Sequence, residues 1–187
     1  MMADLVTKMR RGTERDRKML TELPREKLLD LFFLHIRNLW RVDGLYFLGI
    51  EERYGTDIAN EMDKNCLKVM GKIEARELRK LIEYKRDDIT SFMQLLRNTS
   101  WSLDQQFKEI QETRTEGVFR VTECGTQKTR IGKGLGVFPC KQGRFGYLRS
   151  FAAELNPNIE VTCKVCPPDA RPEGLWCEWE FTLKTRT

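Results

Sequence analysis

The hydrophobic pattern changes its period near Trp101, and this change constrains the fold more than any other feature of the sequence. Before Trp101 the apolar residues recur every three or four positions, as they do along one side of an α-helix. After it, short segments alternate apolar and polar residues, as half-buried strands do. Helices followed by strands are typical of the α+β class, in which antiparallel strands pack against helices.

Three long helices are predicted before Trp101. The first begins after Pro24, and Asp43 is interpreted as the N-cap of a second helix that Gly55 ends. The apolar stripe of the first helix is wide, so we expect much of that helix to be buried. A third helix follows, with an apolar stripe of its own. That stripe consists of Ile58, Met62, Cys66, Val69 and Ile73. Because Cys66 lies within the stripe, we expect it to be a packed core thiol.

The second half of the chain is predicted to form a ββαββ unit with an antiparallel sheet. A helix is expected after Cys140, ending at Asn156-Pro157. The predicted strands flank it in two pairs, at 107–113 and 118–124 and then at 159–165 and 176–184. We therefore divide the chain into a charged arm (1–20), a helical region (21–100) and a ββαββ region (101–187), with 21–187 forming one domain.

Charge and apolar content exclude two classes of partner. The net charge is +5, but the basic arm has no aromatic side chains among its charges, so we expect no nucleic-acid partner. No apolar run approaches the roughly 20 residues of a membrane span, and the N-terminus does not resemble a secretory signal. We therefore expect a cytoplasmic protein without a membrane partner, in which cysteines stay reduced.

Four cysteines form the strongest candidate site, in the spacing Cys140-x22-Cys163-x2-Cys166-x10-Cys177. If the last two strands form a hairpin centred near Ala170, Cys163 lies opposite Cys177. Cys166 lies just after a strand, and Cys140 precedes a helix whose N-terminus favours a thiolate. This arrangement predicts a tetrahedral Zn²⁺ site.

Other interpretations of the cysteines stay open. The same four residues could ligate an iron–sulfur cluster, and Cys163-x2-Cys166 could be a redox pair. The cysteines could also be small core residues without a ligand. Cys124, at the end of a predicted strand, is either an alternate ligand or a packed side chain.

The C-terminal half, from about residue 100 to 187, resembles the 4-vinyl reductase domain, a small-molecule-binding module. The resemblance is carried by the ββαββ order, Cys140 before the helix, Glu160-x2-Cys163 and Cys177-x-Trp179-x-Phe181. Members of that family that sense aromatic compounds hold zinc with cysteines and a glutamate. The resemblance therefore implies that Zn²⁺ is held by Cys140, Glu160, Cys163 and Cys177.

This chain departs from that family by having an additional cysteine, Cys166, and a longer gap before Cys177. Whether Glu160 or Cys166 completes the site is therefore open. Glu160 lies on the strand face opposite Cys163, because side chains alternate along a strand, and this favours Cys166.

The whole chain is similar to an uncharacterised family of cytosolic bacterial and archaeal proteins. The similar stretches are RNLWRVDGLYFLGIEERYG, the G-x-G-x-F-x-C-K segment ending at Lys141, and CPPD followed by CEWEF. Some of these relatives are labelled after aminothiazoline-carboxylate hydrolase, which would imply an amide-type or ring-opening hydrolysis. The sequence shows no nucleophile-and-base arrangement that would support this reaction.

The single histidine limits the catalytic chemistry. His35 lies among apolar residues of the first helix, so we expect a hydrogen-bonded core histidine, and one histidine excludes a His-rich catalytic metal site. We therefore expect a metal-stabilised small-molecule-binding or sensory domain. A metal-dependent hydrolase or reductase acting on a small molecule is the alternative, and whether the chain is an enzyme stays open.

Two further expectations concern the first helices. Trp40, Tyr46 and Phe47 are predicted to form the wall of an apolar ligand pocket. The helices carry more apolar residues than one small sheet can cover, and domains of the 4-vinyl reductase type often pair through such helices. We therefore expect a homodimer formed through Leu28–Ile50.

Overall fold

The computed structural model describes residues 12–184, and this part of the chain divides into two compact units with the boundary between Leu39 and Trp40. The described part of the first unit contains helix α1 (Glu14–Thr21) and the beginning of helix α2 (Arg25–Tyr54). The Thr13 hydroxyl caps α1 by accepting a hydrogen bond from the Asp16 amide at 3.1 Å. None of residues 12–39 is buried, so the prediction that much of the first helix is buried is wrong for this chain by itself. Part of the predicted charged arm, residues 1–11, lies outside the described residues.

Helix α2 is continuous where the sequence predicted two helices. Asp43 lies in its interior, so the N-cap prediction is wrong, because the helical spacing of apolar residues continues through this position. The helix ends before Gly55, whose φ of +85° is accessible mainly to glycine, as predicted. Although α2 has 30 residues, none of the helices within residues 12–184 is long and apolar enough to cross a membrane.

The second unit has the predicted α+β class. Helices α3 (Thr56–Leu78), α4 (Ile89–Arg97) and α5 (Ser100–Asp104) precede strands β1 (Phe107–Glu112) and β2 (Glu116–Glu123). Helices α6 (Gly125–Gly132) and α7 (Lys141–Leu155) separate these from β3 (Ile159–Val165) and β4 (Cys177–Leu183). The four strands form one antiparallel sheet in the order β1-β2-β4-β3. The predicted ββαββ unit is therefore confirmed, with α6 as an additional short helix.

The sheet buries one face and leaves the other charged. Phe119, Trp179 and Phe181 are fully buried on the inner face, as the strand alternation predicts. The outer face carries cross-strand ion pairs, including Lys164 with Glu180 at 3.4 Å. The inner face packs against helices that include α4 and α7, and this interior holds the core.

Helices α3 and α7 form the most extensive helix–helix contact of the second unit. A Cβ atom at Gly71 of α3 would lie 2.4 Å from the Tyr147 carbonyl oxygen of α7. The two backbones therefore approach so closely that only glycine fits at this position. Ala59 and Ala75 are also buried on α3, so small side chains dominate the face that meets α7.

The stripe of α3 that was predicted to lie in the core is on the exposed side of the helix. Its four larger apolar residues are exposed by 44–57%: Ile58, Met62, Val69 and Ile73. Cys66, in the same stripe, is exposed rather than packed in the core. The hydrophobic pattern identified the bulkier face, whereas close approach to α7 requires the face with the smallest side chains.

Gly71 provides a direct test of this contact. We expect Gly71→Ala to lower the free energy of unfolding by about 1–3 kcal/mol, since the added methyl group must separate two backbones. Gly146 of α7 is the matched control, because a Cβ there would meet its nearest neighbours at an ordinary 3.9 Å. Gly146→Ala should be neutral or stabilise by up to about 1 kcal/mol, owing to the higher helix propensity of alanine. Urea unfolding followed by circular dichroism measures both, and equal effects would contradict the proposed contact.

Candidate functional site

Five cysteines come together around the first turn of α7, and we call them the thiol cluster. They are Cys124, Cys140, Cys163, Cys166 and Cys177. The Sγ atoms of Cys140 and Cys166 lie 3.7 Å apart. Burial raises the pKa of Cys124, Cys163 and Cys177, and the charge of Cys140 adds to the rise at each of them. The structure thus brings together the four cysteines predicted as metal ligands and the alternate Cys124.

Backbone contacts hold the two closest thiols in place. Cys140 is the N-cap of α7, and the next amide, that of Lys141, donates to the Pro167 carbonyl at 2.9 Å. This bond connects the start of α7 to the turn that follows β3, where Cys166 is 0% exposed. The Gln127 side chain donates to the Phe138 carbonyl at 2.8 Å, which connects α6 to the loop before Cys140. Three segments distant in sequence therefore converge on one contact.

The two closest thiols have opposite tendencies to ionise. A hydrogen bond from Cys166 lowers the pKa of Cys140 below its usual value, and the positive charge of Arg144 contributes. The same hydrogen bond, together with burial, raises the pKa of Cys166. Burial also raises the pKa of Cys177, to about 12. Cys140 is therefore the thiol of this pair that ionises more readily, and Cys166 is the thiol that keeps its proton more strongly.

The strand register corrects one prediction about this cluster. Cys163 lies opposite Trp179, and Cys177 lies opposite Val121 of β2, so Cys163 and Cys177 do not face each other. The centre of the hairpin is one residue beyond Ala170. The residue opposite Cys163 is therefore two positions further along β4 than predicted. Both thiols still lie on the inner face of the sheet, because a shift of two preserves the alternation.

Two other candidate residues lie outside the cluster. Glu160 is exposed on the outer face of the sheet and forms an ion pair with Lys184 at 3.2 Å. The alternation of strand side chains places it opposite the thiols, as the sequence indicated. His35 is exposed on α2, so the prediction of a core histidine is wrong.

The geometry of the thiol cluster matches a metal site along one edge. Two thiolates bound to one tetrahedral zinc at about 2.3 Å are separated by about 3.8 Å, close to the 3.7 Å between Cys140 and Cys166. As positioned, residues 12–184 contain no group of three or more His, Cys, Asp or Glu side chains that could hold a metal ion. Metal binding here would therefore require further ligands to approach Cys140 and Cys166.

The three aromatic residues predicted to line a pocket face different surroundings. Phe47 is buried, with its ring 4.8 Å from that of Phe138, and Trp40 is partly buried beside Arg144. Tyr46 is 72% exposed and lines an open groove along α2. Successive residues of a helix point about 100° apart, so Tyr46 and Phe47 do not share a face.

Sequence reasoning missed a second cluster, one helical turn beyond Cys140, that we call the arginine cluster. It consists of Trp40 and Asp43 of α2, Asp63 of α3 and Arg144 of α7. The Arg144 guanidinium carbon lies 5.1 Å from the centre of the Trp40 ring, and it also stacks on two core rings, Trp101 and Tyr147. No motif connects these residues, and the only available signal is that charged side chains interrupt apolar helix faces.

Comparison with known proteins identifies a family but no function. Residues 20–183 match DUF6125, a family of unknown function. The chain belongs to this family. No curated protein and no solved structure matches it. The family description mentions neither 4-vinyl reductase nor aminothiazoline-carboxylate hydrolase, so those resemblances stay predictions.

The carboxylates of the arginine cluster titrate unusually in this DUF6125 member. Burial raises the pKa of Asp63 from 3.8 to about 6, the negative charge of Asp43 adds to the rise, and Arg144 opposes it. Burial likewise raises the pKa of Asp43, again opposed by Arg144. One guanidinium therefore compensates two buried carboxylates only in part.

The raised pKa of Asp63 predicts a pH dependence of stability. Between pH 3.8 and about 6 the folded state binds more protons at Asp63 than the unfolded state, so its contribution to stability falls as pH rises. Asp63→Asn removes this penalty. We expect the variant to become progressively more stable than the wild type across this window and to stay so above it. The pKa shift sets an upper limit of about 3 kcal/mol on the difference in unfolding free energy. We expect a smaller value, because the carboxylate keeps some contact with solvent.

Urea unfolding at a series of pH values measures this difference. Glu61→Gln, at an exposed position of the same helix, is the matched control and should leave the pH dependence unchanged. Parallel stability curves for Asp63→Asn and the wild type would contradict the assignment.

Proposed function

We propose that this chain is a metal-stabilised small-molecule-binding domain, in which Cys140, Cys163, Cys166 and Cys177 hold one Zn²⁺. The observation that supports the proposal most directly is the convergence of these thiols from the start of α7, the end of β3 and the start of β4. Four protein ligands would leave no open position for a substrate, which favours a structural role for the metal over a catalytic one.

The burial of the cluster supports a metal better than free thiols. Cys166 is fully buried, and Cys177 has its pKa raised to about 12, so in a metal-free protein both stay protonated at neutral pH. Zinc displaces thiol protons and compensates the resulting charge, which makes a buried cluster of thiolates stable. Such a bond network would fix the β3–β4 loop to the start of α7.

We propose that the small molecule binds away from the metal. Metal and sheet would form a rigid scaffold, and polar groups on the neighbouring helices would contact the small molecule. The arginine cluster provides such groups: Arg144 lies against aromatic rings, and Asp43 and Asp63 lie within the electrostatic influence of its charge. Small-molecule sites characteristically combine apolar walls with a few polar groups of this kind.

Removal of one ligand tests the metal. We expect the purified wild type to carry one zinc per chain and to be colourless, and Cys177→Ser to lose the metal. The melting temperature should fall by ten degrees or more, since metal binding is coupled to folding. Cys66→Ser is the matched control, because Cys66 is exposed on α3 outside the cluster.

Metal analysis by mass spectrometry and thermal melts provide the measurements. Visible absorption would instead indicate an iron–sulfur cluster. Retention of stoichiometric zinc and an unchanged melting temperature in Cys177→Ser would show that the ligand assignment is wrong.

We also propose that the domain is a homodimer joined through α2. Phe47 is the only buried residue among the 30 of this helix, all of which the structure describes. Together with His35, exposed apolar residues recur with alternating spacings of four and three, as in a helix–helix seam. The residues of this α2 seam are Leu28, Phe32, Leu39, Val42 and Tyr46, with His35 between them.

The number of exposed apolar side chains and their spacing favour a second copy as the partner. Ten large apolar side chains of α2, all in the described part of the chain, are 39–72% exposed, and a standard interface buries roughly 800 Å² per partner. In an antiparallel pair centred between Leu39 and Val42, Phe32 would face the partner's Gly49. A large ring against a residue without a side chain is the complementarity that packed helices need.

Charge reversal at the seam tests the dimer. The wild type should have twice the monomer mass of 22.1 kDa at micromolar concentration. Leu39→Glu combined with Val42→Glu should return the monomer mass, because four like charges would meet at the centre of the pair. Arg37→Glu, on the opposite side of α2, should leave the dimer intact. Light scattering after size exclusion measures each mass, and a monomeric wild type would rule out the dimer.

A further inference from the structure

Arg144 makes an unusual set of contacts for a partly buried arginine. Its guanidinium stacks on the rings of Trp40, Trp101 and Tyr147, with the closest ring centre, that of Trp101, at 4.6 Å. Within residues 12–184 it makes neither a hydrogen bond nor an ion pair, and its Nη1 atom is buried without a partner. A guanidinium has five donors, and leaving a buried one unpaired costs free energy.

A second donor beside Arg144 is also unpaired. The Trp40 Nε1 atom is buried and has no hydrogen-bond partner. It belongs to one of the rings on which the guanidinium stacks. Buried donors are nearly always satisfied in folded proteins, so two unpaired donors on adjacent side chains indicate a missing acceptor.

The two carboxylates of the cluster lack direct partners as well. Neither Asp43 nor Asp63 forms a hydrogen bond or an ion pair with the described residues. Burial raises the pKa of both, and the charge of Arg144 only partly opposes the rise. The Asp63 carboxylate packs over the first turn of α7, where a Cβ at Gly143 would lie 2.7 Å from its Oδ2 atom. One cation and two anions are thus held near one another without contact, and the cluster has an excess of one negative charge.

We propose that the arginine cluster binds a small amino-carboxylic acid. The ligand's carboxylate would accept from Arg144 and Trp40, since the arginine fork matches the two oxygens of a carboxylate. Its ammonium group would lie towards Asp43 and Asp63 and balance their charge. A simple anion would satisfy the donors but add to the negative excess, and a simple amine would leave both donors unpaired.

The surrounding rings favour a ligand with an apolar or aromatic part. Trp40 is partly buried beside the guanidinium, so its aromatic ring can add contact area for such a group. Trp101 is 4% exposed and already contacts Arg144 and Phe119, so it supports the site from the core. This inference rests on the proposed small-molecule-binding function, and it names the ligand class and the place of binding. It does not depend on the identity of the metal.

Three matched probes test the ligand class. L-phenylalanine carries both charged groups, 3-phenylpropanoate lacks the amine, and 2-phenylethylamine lacks the carboxylate. Each is titrated to 10 mM into the full chain, and the Trp40 indole N–H signal, assigned by its loss in Trp40→Phe, is followed by NMR. We expect a saturable shift with L-phenylalanine and at least tenfold weaker binding of each analogue.

Variants of the cluster test the place of binding. Arg144→Met should weaken L-phenylalanine binding at least tenfold, whereas Arg149→Met, on an exposed residue of the same helix, should not change it. Should Arg144→Met fail to fold, Asp63→Asn, which removes the charge near the ammonium group, replaces it with the same expected loss. Zinc content is measured in each variant and should stay at one per chain.

The outcomes separate the two proposals. Probe binding without zinc supports the arginine cluster and contradicts the metal assignment. Zinc at one per chain with no shift of the Trp40 signal by any probe overturns the ligand inference and leaves the metal assignment standing. Equal binding of all three probes, or binding that survives both Arg144→Met and Asp63→Asn, also overturns it.

Discussion

The close approach of α3 and α7 at Gly71 is the constraint on which the second unit depends. The 2.4 Å between a hypothetical Cβ at Gly71 and the Tyr147 carbonyl oxygen means that backbone, not side chain, lies at the point of contact. The contact fixes the rotation of both helices about their axes, because only one face of α3 has side chains small enough for close contact with α7. It thereby decides which apolar residues of α3 are left on the surface.

Helix α7 carries most of the chemistry that this contact positions. Cys140 is its N-cap, Arg144 lies one turn later, and Tyr147 donates from the core to the Glu74 carboxylate of α3. The thiol cluster and the arginine cluster are therefore two parts of one helix end, and Arg144 contributes to the low pKa of Cys140. Charges at one cluster consequently influence protonation at the other.

The second half of α2 is held by a buried ion pair. Both terminal nitrogens of Arg130 in α6 donate hydrogen bonds to Glu51, at 2.7 and 2.5 Å. The guanidinium carbon lies 5.7 Å from the centres of both the Phe47 and the Phe138 ring. The hydrogen bond from Arg130 lowers the pKa of Glu51, which keeps the carboxylate charged. This pairing anchors the face of α2 that includes Phe47, while the neighbouring α2 seam stays exposed for the partner that we propose.

The sequence by itself determined the class of fold, the strands and their faces, and the grouping of Cys140, Cys163, Cys166 and Cys177, because local periodicity and turn residues specify these features. Only the tertiary structure decided the hairpin register, the buried face of α3, and the assembly of Asp43, Asp63 and Arg144. A shift of two residues preserves every alternation, and a helix contact made through glycine reverses the usual preference for bulky apolar residues. Contacts between residues distant in sequence leave no periodic signal, since they arise from packing.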